Sequence, residues 1–466
     1  MIKLLSDWRA YWPDNNLERW AVGSLYAFAL LAPVSTSLGQ LSQAIMLVVA
    51  IVYVSRYQRV LLRSPLVVLV LAFAFLVLIR GMVAAWVERP DLAAMQWDGV
   101  STWVKTMLFP IVLCGIALCA SGNWLRHGVG VLLATLLAYT LVLLWSMDFG
   151  NVVAVLSGEL RRYNLDQGYR RMALLVPALI IGLVLLCFMQ LSRVFVQGRQ
   201  GSAWGIVRAL ALFLLLLTFI AALFSTGSRN GWLAAATGLI VLGACSLWYF
   251  RQGMRHDARV LIAGLTALTL VLGGVLAYSW DALENRWSRS APELSQAAEV
   301  FVGERDVYAL QSGSVGTRIV YWAFGWEMFK ERPWFGYGPA DQRHLTDENP
   351  VPPQLEGRDD TYHNSHIDIL LRFGAVGYGL LALGLMILLR EAQLNMQQTG
   401  TPRILGLYAV AFMAAMAFWS MNAQIIHRFP MEHLYGVILG VMAASYLSRF
   451  ARHYDHYRET VPEGIQ

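Results

Sequence analysis

Residues 65–86 read PLVVLVLAFAFLVLIRGMVAAW. The run carries one charge, Arg80, and its single proline stands at the first position. An α-helix rises about 1.5 Å per residue, so a stretch of this length crosses a hydrocarbon core of about 30 Å. It must cross as a helix, because lipid offers no partner to irregular backbone. Similar runs recur on either side, at 20–37, 41–54, 100–120, 127–147, 172–191, 205–224, 230–249, 260–278, 367–389, 404–421 and 434–447. With the first they predict twelve transmembrane helices, the one at 41–54 being short. The expected fold class is an all-α polytopic membrane protein.

Composition points the same way. Of 466 residues, 57% are hydrophobic and 14% charged, with a mean hydropathy of +0.51, whereas a soluble domain carries about 25% charged residues. That excludes an ordinary soluble enzyme. The uninterrupted runs exclude a β-barrel, whose strands alternate polar and apolar residues. The first 19 residues are mixed and polar, with Asp7, Asp14, Asn15, Asn16 and Glu18 among them, so no cleavable signal peptide is expected. Cys114, Cys119, Cys187 and Cys245 all fall in apolar runs and imply no disulfide framework. The net charge of +6 comes from 33 arginines against only Lys3, Lys105 and Lys330. The arginines are scattered among loops and span ends and form no basic stripe interleaved with aromatics, so membrane lipids are expected partners and nucleic acid is not.

Basic residues near span ends face the cytoplasm. With a cytoplasmic N-terminus, the inner loops hold Arg56, Arg59 and Arg63, then Arg126, Arg193 and Arg199, Arg251, Arg255 and Arg259, and Arg390 and Arg403. Arg449, Arg452 and Arg458 follow the last span. The outer loop at 87–99 has Arg89 against Glu88, Asp91 and Asp98. The chain is thus expected to divide into spans one to nine over 1–278, a periplasmic loop over 279–366, spans ten to twelve over 367–449, and a cytoplasmic tail over 450–466. Two outer segments stand apart. The stretch 148–171 carries Arg161, Arg162, Arg170 and Arg171 against the charge bias. The 279–366 loop is rich in aromatics and long enough to fold into its own helical subdomain. No matched pair of broken spans of the transporter kind is visible, and Pro65 and Pro177 read as lying near span starts, where proline is tolerated. The chemistry is expected on the outer face.

Arg229 stands in Ser225-Thr226-Gly227-Ser228-Arg229-Asn230-Gly231. Small residues there admit close backbone approach, and the hydroxyls with amides at a helix N-terminus favour an anion; the competing reading is a tight turn whose arginine snorkels to headgroups. Arg80 lies about sixteen residues into its span, at a depth where a charge is costly and marks a functional site unless it snorkels. Arg161, Arg162, Arg170 and Arg171 would clamp phosphates or bind lipid headgroups. Gly316-Thr317-Arg318-Ile319 opens a helical stretch to about Lys330, with Thr317 as its cap. Arg318 would then occupy the first turn, where the dipole disfavours a cation, and so would serve an anion.

The sharpest segment is Tyr362-His363-Asn364-Ser365-His366-Ile367-Asp368. An imidazole at a helix N-terminus is biased toward its neutral form, the form a general base needs. His363, His366 and Asp368 leave a metal site as a rival, which would need a third ligand of matching geometry. Asp368 and Arg372 are spaced to neutralise each other along a helix. The tandem acids Asp359-Asp360 and Asp347-Glu348 sit in Pro/Gly-rich chain and read as solvated. Charge on a phosphate leaving group would then fall to arginine forks, which bind phosphate in bidentate fashion.

His363-Asn364, nine residues, Gly374, two residues and Gly377 resemble the histidine motif of the O-antigen ligase family. Thr226-Gly227-Ser228-Arg229, and Gly316-Thr317-Arg318 through Arg332-Pro333-Trp334-Phe335-Gly336-Tyr337-Gly338, resemble the rest of that family's shared region. The resemblance covers about 224–380. It is shared with O-antigen polymerases and with pilin oligosaccharyltransferases; the latter carry a longer outer C-terminal region that this sequence does not show, so a ligase is expected. The resemblance implies a GT-C-like glycosyltransferase that needs no metal, nucleotide or other cofactor, on the periplasmic side of the bacterial inner membrane. It would move a complete O-antigen glycan from undecaprenyl pyrophosphate to a lipid A core sugar in lipopolysaccharide assembly. It further implies that His363 is the essential histidine and Arg229 and Arg318 the essential arginines. Arg80, Arg161 and Arg162 join them as substrate-binding candidates on depth and charge alone. The expected mechanism has the acceptor hydroxyl attack the anomeric carbon opposite the departing pyrophosphate, inverting it, while His363 takes the proton. The alternatives are a polymerase taking a second lipid-linked glycan, a protein oligosaccharyltransferase and a twelve-span exporter of lipid-linked glycan. An exporter would carry its coupling charges near the bilayer midplane, whereas most charges here lie at the outer boundary.

Overall fold

The computed structural model describes residues 15–105, 108–157, 159, 168–195, 203–250, 280–311, 313, 315–340, 345, 352, 355, 362–423 and 431–460. All regular structure among them is helical. Nine helices among the described residues are long and apolar enough to cross a membrane: Thr36–Arg56, Pro65–Glu88, Pro90–Ala120, Trp124–Ser146, Trp204–Ser225, Arg229–Trp248, Ser365–Gln397, Thr401–Ser420 and Met431–Tyr454. The first expected span corresponds to the shorter helix α1 (Asn16–Leu31), and the sixth to an apolar stretch, Leu175–Gln190, inside a longer helix. The span expected at 260–278 lies outside the described residues. The protein is an all-α polytopic membrane protein.

The helices fall into two compact units. One gathers 1–145, 377–409 and 426–466. After α1 it contains α2 (Thr36–Arg56), α3 (Pro65–Val83), α4 (Ala93–Lys105), α5 (Leu108–Ala120) and α6 (Trp124–Ser146). Its last helix, α15 (Met431–Thr460), lies along α5. Glycine makes that approach close: a Cβ on Gly115 would come within 2.7 Å of Ala443, one on Gly440 within 2.7 Å of Cys114, and one on Gly436 within 3.1 Å of Pro110. Gly436, Gly440 and Ala444 recur every fourth residue, the spacing of small residues that lets membrane helices touch through their backbones. Buried polar groups fasten the unit as well. Asn395 donates to Ser445 over 3.0 Å and Ser445 to Glu391 over 2.6 Å, and each such interhelical bond is worth about 0.6 kcal/mol in lipid.

The other unit gathers 146–376 and 410–425. It contains α7 (Phe149–Leu156), α8 (Gly168–Phe195), α9 (Ala203–Ser225), α10 (Arg229–Phe250), α11 (Trp280–Phe301) and α12 (Gly316–Glu331). The start of α13 (Ser365–Gln397) and the end of α14 (Thr401–Ser420) complete it. Pro177, expected near a span start, lies well inside α8, because the helix begins at Gly168, ahead of the apolar run. Proline has no N–H, so the Ala173 carbonyl loses its helical donor. That carbonyl faces Gly231 of α10, and two turns on, Gly238 packs against Ile181, the Ala411 carbonyl and Ala415.

Between the apolar runs, α12 forms a cluster with residues on either side of it, and Val300 of α11 packs against it. Leu310, Val320, Tyr321, Phe324, Met328 and Tyr362 bury one another there. Val320, Phe324 and Met328 follow one another at four-residue intervals, so one face of α12 is apolar. Full burial of a side chain of this size is worth about 1.5–3 kcal/mol. This cluster holds the start of α12 against residues 362–367.

Candidate active site

The turn into α10 is built from short polar side chains that serve its own backbone. Ser225 Oγ donates to the Ala222 carbonyl over 2.8 Å and Thr226 Oγ1 to that of Leu223 over 2.6 Å. Gly227 takes φ 61° to reverse the chain, a conformation glycine reaches without cost. Ser228 Oγ then accepts the Gly231 N–H at 3.3 Å and caps the helix. The hydroxyls expected to meet an anion are therefore engaged locally, because a reversal this tight leaves terminal backbone groups that only nearby side chains can reach. Arg229, the first residue of α10, is exposed. Asn230 beside it donates to the Asn422 carbonyl over 3.2 Å.

Helix α12 begins two residues earlier than a Thr317 cap would place it. Val315, not Thr317, stands at the cap position, and Thr317 is buried inside the first turn. Val315 has no side-chain acceptor, so a carboxylate from α11 replaces one: Glu293 Oε2 accepts the Val315 N–H at 2.8 Å. Arg318 follows in the first turn, half-buried. Burial pushes its pKa below the usual arginine value, the like charge of Arg229 pushes it further, and Glu293 opposes both. Arg229 and Arg318, far apart in sequence, are thus electrostatic neighbours.

His363 lies against the same helix. Its ring meets that of Tyr321 edge-on, with centroids 6.4 Å apart, and Tyr321 meets Tyr362 at 5.9 Å. Trp322 Nε1 donates to the Tyr362 carbonyl over 3.0 Å, and Gly325 leaves room for Tyr362 and Ile367. Arg318, Tyr321 or Trp322, and Gly325 recur at one-turn intervals on one face of α12. Arg318 therefore stands one turn from the residue that touches His363. The histidine is the single non-glycine residue with positive φ, 48°, among the described residues. It precedes the helix instead of opening it: Asn364 is the cap, its Oδ1 accepting from His366 N–H at 2.9 Å and Ile367 N–H at 3.2 Å. Ser365 Oγ donates to the Ala423 carbonyl over 2.8 Å, and Ser420 Oγ lies 2.9 Å from His366 Nε2. Asn422 and Ala423 thus join the start of α10 to the start of α13.

A clasp fixes the chain behind His363. At Gly374 the backbone leaves the helix, with φ 62° and ψ −166°. The amides of Ala375 and Val376 instead donate to Pro333 and Trp334, over 2.7 and 3.2 Å. The carbonyls of Leu371 and Arg372 accept in return from Tyr337 and Gly338, over 2.7 and 3.0 Å. A Cβ at Gly374 would run into the Trp334 carbonyl, and one at Gly336 into that of Leu371. The glycines of both motifs thus meet in one structure. Arg372 pairs with Asp368 at 3.0 Å, both nearly fully buried, and donates to the carbonyls of Pro339 and Ala340. The i,i+4 pair read from the sequence is present and also anchors the loop.

Of the residues singled out in the sequence, Arg229, Arg318 and His363 lie in one unit and share neighbours. Arg80 belongs to the other unit, 6% exposed, with its Nη2 2.6 Å from Glu88 Oε2. Arg161 and Arg162 lie outside the described residues. Among the described residues no three His, Cys, Asp or Glu side chains are gathered as a metal ion requires. Tyr321, Glu293 and Asn364 were not anticipated. Only Asn364 had a local signal, an Asn directly before a helical run.

A family model described as O-antigen ligase matches residues 212–382. Over these residues the chain is similar to the O-antigen ligase family. The matched O-antigen ligase region takes in the turn before Arg229, all of α11 and α12, His363 and the Gly336–Gly374 clasp, and it excludes Arg80, Arg161 and Arg162. No curated protein sequence matches the chain. The match supports, broadly, a function of the O-antigen ligase or polymerase type in a multi-pass membrane protein.

Proposed function

We propose that this chain transfers a preassembled O-antigen glycan from undecaprenyl pyrophosphate to a hydroxyl of a lipid A core sugar, on the periplasmic face of the inner membrane. One observation carries the reading: Arg318, one helical turn from the Tyr321 ring that meets His363, is held below the usual arginine pKa by burial and by the like charge of Arg229. Two guanidinium groups kept together repel each other, and a pyrophosphate relieves that repulsion because its oxygens can engage both forks. Charge builds on this leaving group as the glycosyl bond breaks, and donors already in place stabilise it without reorganising. The acceptor hydroxyl attacks from the opposite face, inverting the anomeric carbon, and His363 removes its proton. Arg80, Arg161 and Arg162 are proposed to bind the lipid-linked donor. No metal or cofactor takes part.

The test uses purified protein and purified lipid-linked donor, with and without lipid A core. Wild type is expected to form the core-linked product, to keep doing so with chelator present, and to form little product from donor alone. His363→Ala protein is expected to lose transfer by about 10² to 10⁴. Elongated lipid-linked glycan from donor alone would make the chain a polymerase, and wild-type transfer by the His363→Ala variant would overturn the base.

A further inference from the structure

The unit formed by 1–145, 377–409 and 426–466 has an open groove of about 760 Å³ between α3, α13 and α15. Its walls are apolar, with Leu69, Leu383, Met386, Ile387 and Phe450 among them. One end meets Arg390, Arg449 and His453, and a second hollow of about 560 Å³ carries on past Arg449 and His453 to Arg452 and His456. These cations occupy the late turns of α13 and α15, the ends that the charge bias assigns to the cytoplasm.

Cations outnumber acids among the described residues that line this seam. Glu391 is 2% exposed and is engaged by Arg449 and by Ser445. It answers one cation. Arg390, Arg452, His453 and His456 stay exposed, and Arg452 commits Nε to the Ser448 carbonyl of its own helix over 3.2 Å. Helix dipoles favour cations at C-terminal ends, yet the effect fades within one turn and needs no groove. An apolar trough on membrane-spanning helices that runs into several guanidinium groups is complementary to an acyl chain continuous with an anionic headgroup.

We propose that this groove binds an anionic phospholipid, its acyl chain along Leu383, Met386 and Phe450 and its phosphate against Arg390, Arg449 and Arg452. The site is separate from the glycan-transfer reading and does not depend on it. A zwitterionic lipid fills the trough equally well but adds no net charge for the arginines, so selectivity resides in the headgroup.

Native mass spectrometry of the full-length protein in neutral detergent tests this, titrated with phosphatidylglycerol or phosphatidylcholine of identical acyl chains. Wild type is expected to retain phosphatidylglycerol at least about tenfold more tightly. The double variant Arg390→Gln/Arg452→Gln should lose about fivefold of that preference for each arginine removed. Met386→Trp obstructs the trough and leaves every cation in place, so it should lower phosphatidylglycerol binding as well. Equal retention of the two lipids by wild type overturns the proposal. So does undiminished binding in the Met386→Trp variant, which would leave only diffuse surface charge. Displacement of bound phosphatidylglycerol by equimolar inorganic phosphate would assign the arginines to a free anion and overturn the lipid.

Discussion

Burial first, and then the like charge of Arg229, hold Arg318 below the usual arginine pKa. On the proposed reading, these two cations bind the pyrophosphate of the donor. Arg229→Lys and Arg318→Lys each retain the charge but lose the planar fork. Each is expected to lower glycan transfer about 10² to 10³-fold, as for loss of one preorganised donor, with the unfolding midpoint unchanged. A purified-component assay at saturating acceptor reads this; near-wild-type transfer by either lysine variant removes that arginine from the site.

Glu293 offsets part of the lowering of the Arg318 pKa and accepts the Val315 N–H at the start of α12, so on the proposed reading it competes with the donor for Arg318. Glu293→Gln keeps an acceptor oxygen for that amide and removes the charge. The donor KM is expected to fall about two- to fivefold, the scale of a partly exposed ion pair. Glu293→Ala also removes the cap and should lower the unfolding midpoint. A raised donor KM in Glu293→Gln would show that the carboxylate orients Arg318 for binding.

His363 pays for its position with a left-handed backbone, φ 48°, that glycine adopts freely. His363→Gly therefore separates chemistry from folding. Transfer is expected to fall about 10² to 10⁴-fold, while stability stays within about 1 kcal/mol of wild type. Thermal unfolding in detergent, run beside the transfer assay, checks both; a large stability loss would make the imidazole a packing residue against Tyr321.

Gly374 faces the opposite demand. Its φ of 62° and the Trp334 carbonyl against its Cα exclude any side chain. Gly374→Ala is expected to cost about 1–3 kcal/mol in backbone strain alone, more where the four clasp hydrogen bonds shift. Wild-type thermal stability in this variant would contradict the clasp.

Arg372 pairs with Asp368 and also donates to the carbonyls of Pro339 and Ala340. Removing one member of a buried pair costs about 3–5 kcal/mol. Arg372→Met should reach that range, since it also leaves Pro339 and Ala340 without a donor. Asp368→Asn should cost less, because its amide oxygen can still accept from Arg372. The reverse order would assign the loop anchor to the carboxylate.

Apolar runs at helical length reveal themselves residue by residue, since a membrane leaves the backbone no alternative to helix. The apolar spans and the weight of arginine over lysine are therefore readable from the chain alone. Cap positions were less so. Thr317 has the chemistry of a cap, yet Val315 holds that place because a carboxylate from another helix supplies the acceptor. The Ser225–Ser228 hydroxyls looked equally suited to an anion and to a tight turn, and only the folded backbone assigns them to the turn.

The linear order of residues determined that this protein is a bundle of membrane helices whose polar exceptions concentrate in a few segments, because local hydropathy decides solvation. It did not bring those exceptions together. The electrostatic coupling of Arg229 to Arg318, and the contact of Tyr321 with His363, arise only in the folded chain. That fold depends on glycines and buried aromatics distant in the chain, whose mutual fit no local pattern records.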